Sequence, residues 1–326
     1  ADMTVLTVSG NKCRVSVTID GNSKANYGIR STGAAGTIER CRIENIYSAT
    51  TTARAIEVTT TGGATIRNNT INNVTSVGNA TRGDGNGFAR GILLYGGTAA
   101  ATKRSYILDN IIDGIVGEEG DGIATLFDDG VATTFLSAKT TVRGNQISNV
   151  SRRFIKIQGS DVRVEDNHCS HDGTVPANPS TAIDLIQSDN VSVIANTVPP
   201  HPLGNSIASN GTSAARNKNL VIKGNIIRQD DAKTDPAIYV NYATESEVAD
   251  NTVHGGGPAV SIGNSINMAV INNRHFGGVN SAVSFSANST NTGVVMRLNT
   301  NMNAARATYV SNAGTGALTE LNATRA

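Results

Sequence analysis

An asparagine recurs along this chain in one short motif, and its spacing restricts the fold more than any other feature. The motif is an aliphatic residue, two variable residues, asparagine, a variable residue and a second aliphatic. It reads Ile66-Arg67-Asn68-Asn69-Thr70-Ile71, Ile107-Leu108-Asp109-Asn110-Ile111-Ile112 and Val142-Arg143-Gly144-Asn145-Gln146-Ile147. It continues at Asn167, Asn196, Asn225, Asn251, Asn273 and Asn299, and Cys13 and Cys41 hold the key place in the first two copies. The eleven positions are 22 to 41 residues apart, most often 26 to 29.

A second unit interleaves with it: a polar residue, a small residue, then apolar-variable-apolar. Examples are Arg54-Ala55-Ile56-Glu57-Val58, Arg90-Gly91-Ile92-Leu93-Leu94, Thr181-Ala182-Ile183-Asp184-Leu185 and Pro236-Ala237-Ile238-Tyr239-Val240. Short β segments of this kind, broken by Gly, Asn and Ser, cannot bury their apolar faces alone. Stacked copies can, because each coil covers the next. In-register stacking makes parallel sheets with side chains alternately in and out. Asparagine at one place per coil then forms an amide ladder, and it tolerates the left-handed turn conformation. The fold predicted is all-β: a right-handed parallel β-helix of about eleven coils, one domain over 1–326, about 50 Å long at roughly 4.8 Å per coil.

Composition agrees and excludes alternatives. About three dozen asparagines, 34 glycines, 16 % charged residues and no tryptophan argue against a helical bundle. Hydrophobic residues at 38 % suffice for a core, and a net charge of +1 gives no basic field for nucleic acid. No apolar run approaches the ~20 residues of a membrane span. The opening Ala1-Asp2-Met3-Thr4 is polar and strand-like rather than a signal peptide, so a fragment or mature chain is expected. Cys13 and Cys41, one coil apart, could be bonded; two reduced thiols in the ladder column are favoured over that pairing. Cys169 is expected in the core.

Function is sought where the repeat is interrupted. Long cleft loops are predicted at about 76–87, 96–105, 117–122 and 128–141, beside the sheet of apolar-variable-apolar strands. Outward positions there read Glu57, Leu93, Ala124, Lys156, Asp184, Ala208 and Tyr239. Three residues earlier stand Arg54, Arg90, Asp121 and Arg153. Cations and tyrosines along a groove suit an anionic polysaccharide, since guanidinium groups pair with carboxylates. The plainer alternative is a surface ion pair of Lys156 with Asp184, worth under about 1 kcal/mol.

The ladder coils, the cleft loops and the Asp121-Gly122-Ile123 strand entry resemble the pectate-lyase-like β-helix superfamily, and within it the bacteriophage tailspike depolymerases. The resemblance covers nearly the whole chain and is specific for fold. It implies a homotrimer in a virion or extracellular setting that cleaves a bacterial capsule or O-antigen by hydrolysis or β-elimination. No head-binding domain is present, so it implies an excised central domain. The Asn-Thr-Asp, Asp-Asp and Gly-His-Gly set of polygalacturonases is missing, and Asp128-Asp129 stands without matching partners. The Asp-Pro-His-Asp signature of alginate epimerases is absent too.

Two chemistries fit. An inverting hydrolase needs carboxylates ~6.5–9.5 Å apart, and Asp121 and Asp184, two coils apart, are the pair expected; Asp128 could reach in from its loop. A lyase needs a base and a cation for the uronate carboxylate. Lys156 beside Arg153 is the candidate, with Tyr95 or Tyr239 as acid. Arg90, Arg153, Glu57, Tyr95 and Tyr239 are the expected substrate contacts. Hydrolysis is preferred narrowly, and a non-catalytic glycan-binding fibre or adhesin is the rival class. No metal or other cofactor is expected, save Ca2+ for a lyase. Gly83-Asp84-Gly85-Asn86-Gly87 reads as a flexible loop. The run His168-Cys169-Ser170-His171-Asp172 reads as strand with Cys169 turned inward.

Overall fold

A computed structural model describes residues 4–9, 14–33, 36–49, 52–77, 87–127, 136–172, 180–186, 188–200, 204–277, 282–285, 290–302, 310–311, 318–320 and 323–324. They fall into two compact units, Ala1–Pro179 and Ser180–Ala326. No helix of the described residues is long and apolar enough to cross a membrane.

The first unit has three parallel sheets, each receiving one strand per coil. Its first sheet runs Thr4–Ser9, Tyr27–Thr32, Ala53–Thr59, Phe88–Tyr95, Glu119–Leu126 and Arg153–Gln158, hydrogen-bonded in that order. The second runs Arg14–Val15, Thr37–Glu39, Thr65–Arg67, Ser105–Leu108, Ser137–Arg143 and Ser160–Glu165. The third follows each ladder position, from Thr18–Asp20 through Arg42–Ser48, Thr70–Ser76, Ile111–Val116 and Gln146–Val150 to His168–Ser170. The second unit repeats the scheme. Its first sheet starts at Ile183–Ile186 and continues through Ile207–Asn210, Ile238–Asn241, Val260–Gly263 and Val283–Phe285. Short strands at Val310–Ser311, Leu318–Glu320 and Ala323–Thr324 follow the last counted asparagine. The fold is the right-handed parallel β-helix with an asparagine ladder that the repeat predicts.

Identical side chains stack in the core because register aligns them. Ile29, Ile56, Ile92, Ile123 and Ile155 form one column, each 0 % exposed. In the third sheet Ile19, Ile43, Ile71, Ile112, Ile147 and Cys169 form another. Burial of this kind contributes roughly 1.5–3 kcal/mol per large aliphatic side chain. Cys169 and Cys41 are buried free thiols, and burial pushes the Cys169 thiol well above its ordinary range. Cys41 donates its thiol to the carbonyls of Val15 and Glu39 at 3.5 and 3.6 Å; Cys13 lies outside the described residues.

The ladder is regular. Asn69, Asn110 and Asn145 each donate Nδ2 to Oδ1 of the next asparagine at 2.9 Å. In the second unit Asn196, Asn225, Asn251 and Asn273 do the same at 2.9–3.0 Å. One expectation is corrected. The left-handed residue is not the asparagine but the one before it: Asn68, Asp109, Gly144, Asp166, Ala195, Gly224, Asp250, Asn272 and Leu298 have φ between 53° and 69°. That residue turns the corner, and the asparagine, in ordinary backbone, points its amide into the stack.

The predicted loop at 117–122 is corrected as well. Only a tight corner at Gly117 and Glu118 separates two strands, and Glu119–Leu126 pairs with Phe88–Tyr95 from Phe88↔Glu119 onward. The corner is closed by Ser151, whose Oγ donates to the Gly117 carbonyl and accepts from the Gly117 N–H at 3.0 Å. Of the predicted loop 96–105, residues 96–104 form a connection and Ser105 opens the next strand; the connection is tied down by Ala101 N–H to Ser137 O and Thr102 N–H to Thr61 O, both 2.6 Å. Of the other predicted loops, 78–86 and 128–135 lie outside the described residues, Asp128, Asp129 and most of the Gly83–Gly87 run included.

Candidate functional site

The polar-small-apolar motif does more than make a strand. In Ala53–Thr59, Ala55 and Ile56 both turn inward and are 0 % exposed. Two successive inward residues interrupt the alternation, so residues three apart share the outer face. Arg54 and Glu57 demonstrate it by forming an ion pair. The same step brings Arg90 with Leu93, Asp121 with Ala124, and Arg153 with Lys156 onto one side. Glycine serves the step at Gly91 and Gly122: a Cβ at Gly122 would stand 2.5 Å from Ile147 Cγ2 and 2.8 Å from the Phe154 carbonyl.

Register then assembles a charged cluster. Arg54, Arg90, Asp121 and Arg153 occupy one row, and Arg30, Glu57, Leu93, Ala124 and Lys156 the next outward row. Asp121 is 0 % exposed, with Arg90 Nη1 3.2 Å from its Oδ2 and Arg153 Nη1 3.5 Å from its Oδ1. Arg90 also reaches Glu119 Oε2 at 3.2 Å, and Arg152 reaches Glu119 Oε1 at 2.5 Å. Burial works against the charge of Glu119, but attraction from Lys156, Arg90, Arg152 and Arg153 outweighs it and holds the carboxyl below its usual range. Lys156 is half-buried. Desolvation pulls its pKa below the ordinary 10.5; Asp121 opposes this, and Arg90 and Arg153 reinforce it.

A second cluster lies on the same face. Glu57, 2 % exposed, accepts from Arg30 Nε at 3.1 Å and from Arg54 Nη1. Both guanidinium groups lie over the Tyr27 ring, 5.3 and 5.6 Å from its centre. The first-sheet strands of this unit thus carry five cations, Arg30, Arg54, Arg90, Arg153 and Lys156, against three carboxylates, Glu57, Glu119 and Asp121. All three carboxylates are paired with arginine.

Of the residues singled out in the sequence, the fold brings Arg90, Asp121, Arg153 and Lys156 together. Glu57 belongs to the neighbouring cluster. Tyr95 is 42 % exposed on the same face, two strands from Lys156 in the row Thr59, Tyr95, Leu126, Gln158. Asp184, 5 % exposed, and half-buried Tyr239 belong to the second unit, in the row Asp184, Ala208, Tyr239, Ser261, Ser284. Glu119, Arg152, Arg30 and Tyr27 were not foreseen. Glu119 sat in an expected loop, and only the Phe88 pairing shows that its strand begins there.

The carboxylates of this face are engaged by arginines, and among the described residues no three His, Cys, Asp or Glu side chains converge to hold a metal. In His168–Ser170, Cys169 points inward, and His171 packs against Phe154 with ring centres 4.8 Å apart.

No protein-family model matches the chain, and no curated protein matches it by sequence. Solved structures do match by shape. The Dettilon tailspike protein is 13 % identical with a TM-score of 0.52; the match covers 95 % of this chain and 60 % of that one. The A-module of Azotobacter vinelandii mannuronan C-5 epimerase AlgE4 is 13 % identical with a TM-score of 0.50, covering 91 % of this chain and 87 % of the module. The surface adhesin PfbA of Streptococcus pneumoniae is 12 % identical with a TM-score of 0.44, covering 81 % of this chain and 72 % of that one. At such identities the likeness concerns architecture, and by architecture the chain is a parallel β-helix protein of the kind seen in a tailspike and an alginate-type epimerase.

Proposed function

We propose that this chain acts on an acidic polysaccharide, a bacterial capsule or O-antigen, held along the outer face of the first sheet of its first unit. The carrying observation is the Arg90, Arg152, Arg153 and Lys156 cluster, whose four cations exceed the two carboxylates, Glu119 and Asp121, that they surround. A surplus of guanidinium groups held in place by buried counter-ions suits a row of uronate carboxylates.

Of the two chemistries, β-elimination has the better support. A glycosidase needs a protonated acid, normally a carboxyl with a raised pKa. Here Glu119 is held ionised, and Asp121 and Glu57 are buried against arginines. An elimination needs a base, and desolvation lowers the pKa of Lys156 below that of an ordinary lysine, which makes its proton easier to lose. Neutral Lys156 takes the proton on the carbon bearing the uronate carboxylate. That electron pair becomes the ring double bond between C4 and C5, the bond from C4 to the bridging oxygen breaks, and the leaving oxygen takes a proton from Tyr95 or water. Arg153 and Arg90 stabilise the charge on the carboxylate as it develops. The reading includes a homotrimer in an extracellular or virion setting.

Incubation with a panel of typed acidic capsules tests this. Shortened chains bearing the ultraviolet absorbance of an unsaturated uronate, lost in Lys156→Ala, are expected. New reducing ends without that absorbance indicate hydrolysis. Binding without shortening indicates a glycan-binding fibre.

A further inference from the structure

A different face of the first unit carries a constellation that this chemistry leaves unused. In the second sheet, register sets Thr37, Thr65, Tyr106, Thr141 and Arg163 in one row. Two residues on, Glu39, Arg67, Leu108, Arg143 and Glu165 form the next. Tyr106 is 39 % exposed and sits at the centre, with a threonine on each neighbouring strand. Among the described residues, the guanidinium groups that cover rings lie over Tyr27, Phe88 and Tyr242, so the Tyr106 ring is left open.

Arginines frame it. Arg104, two residues earlier, is anchored by Nη1 donating to Thr140 O at 3.2 Å and Thr141 Oγ1 at 3.4 Å. Arg67 and Arg143, both exposed, stand on the strands flanking Leu108. Arg67 pairs with buried Glu39, which Arg14 also engages, whereas Arg143 and Arg163 form no ion pair among the described residues. An open ring between hydroxyls and guanidinium groups matches the two aspects of an acidic sugar. The apolar face of the pyranose lies on the ring, and the carboxylate meets a guanidinium fork.

We propose that this face is a second, non-catalytic binding site for an acidic polysaccharide strand, centred on Tyr106 with Arg67, Arg104 and Arg143 as carboxylate contacts. The inference rests on the polyanion reading of the first sheet and extends it. Two sites on one polymer raise the effective concentration of substrate at the cleaving face without any new contact there.

Affinity electrophoresis of the whole chain through gels holding alginate, dextran sulfate or uncharged dextran tests it. Retardation by alginate but not dextran is expected, and it weakens as salt rises. The double variant Tyr106→Ala with Arg143→Ala should lose about tenfold in alginate affinity, while Tyr106→Phe keeps it. With a capsule that is cleaved, the double variant should need about tenfold more polysaccharide for half-maximal rate while its rate at saturation stays that of the parent, so loss of the cleaving site and loss of this site read out separately. An unchanged thermal midpoint of the double variant shows that its fold is intact. Equal retardation of parent and double variant overturns the proposal. So does tighter binding of a single-stranded oligonucleotide than of alginate, or self-association that Tyr106→Ala abolishes.

Discussion

Asn110 donates twice to a single atom of Asn145: its backbone N–H reaches Oδ1 at 3.0 Å and its side-chain Nδ2 reaches the same oxygen at 2.9 Å. Asn145 in turn donates Nδ2 to the Ile107 carbonyl at 3.1 Å. All of these groups are sealed from water. Asn145→Ala therefore strands two donors and a carbonyl, each costing roughly 1–3 kcal/mol when left unpaired and buried. A loss of about 3–5 kcal/mol is expected in urea unfolding. A loss below about 1 kcal/mol would show that the ladder is ornamental.

Asp121 is the shared counter-ion of Arg90 and Arg153. Asp121→Asn leaves two nearly buried guanidinium groups short of charge, with an expected destabilisation of about 3–5 kcal/mol. It also removes the chief attraction that keeps the proton on Lys156. If Lys156 is the base, activity in the parent rises with pH as that amine deprotonates, below the ordinary lysine value of 10.5. In Asp121→Asn the rise moves to lower pH. A rate profile with an unmoved limb would exclude Lys156 as base even if the variant were less stable.

Lys233 lies in the second unit, 7 % exposed, and burial pulls its pKa down to about 8, against the partial opposition of Asp235 and Asp230. The unfolded chain returns it to 10.5, so between those two values the unfolded state binds more protons and stability climbs with pH. Below about pH 8 the cost is constant, on the order of 3 kcal/mol before screening. Lys233→Met is expected to raise stability at pH 7 and to remove the climb. Chemical denaturation at pH 7 and pH 10 checks both.

Gly122 is set where a Cβ would meet Ile147 Cγ2 at 2.5 Å and the Phe154 carbonyl at 2.8 Å. Gly122→Ala must push one coil from the next beneath the charged cluster. A destabilisation of about 1–3 kcal/mol is expected, together with lost polysaccharide cleavage, because Asp121 is its neighbour in sequence.

The coil was legible in the sequence because its parts are local and repeated. Asn69, Asn110 and Asn145 announce a period whatever the loops between them do, and isoleucine at 56, 92, 123 and 155 announces the inward column. The corner was misread by one residue, since Asn68 and Asn69 share a type and only backbone angles tell them apart. Glu119 was hidden for another reason. Strand onset depends on which residues of the previous coil are available to pair, and the Phe88 partner of Glu119 follows a long insertion. The cations at Arg90, Arg153 and Lys156 were visible, but their common face depends on the inward double step that Ala55 and Ile56 make explicit. Ion pairing was invisible altogether: nothing local to Asp121 says that two arginines from adjacent coils seal it off.

The shared amide oxygens carry a mechanical implication. Within each unit, an interior rung cannot loosen without unpairing the rungs on both sides, whereas a terminal rung has one neighbour to lose. Loosening at Asn110 therefore runs to Asn69 and Asn145 like a zipper instead of staying within one coil.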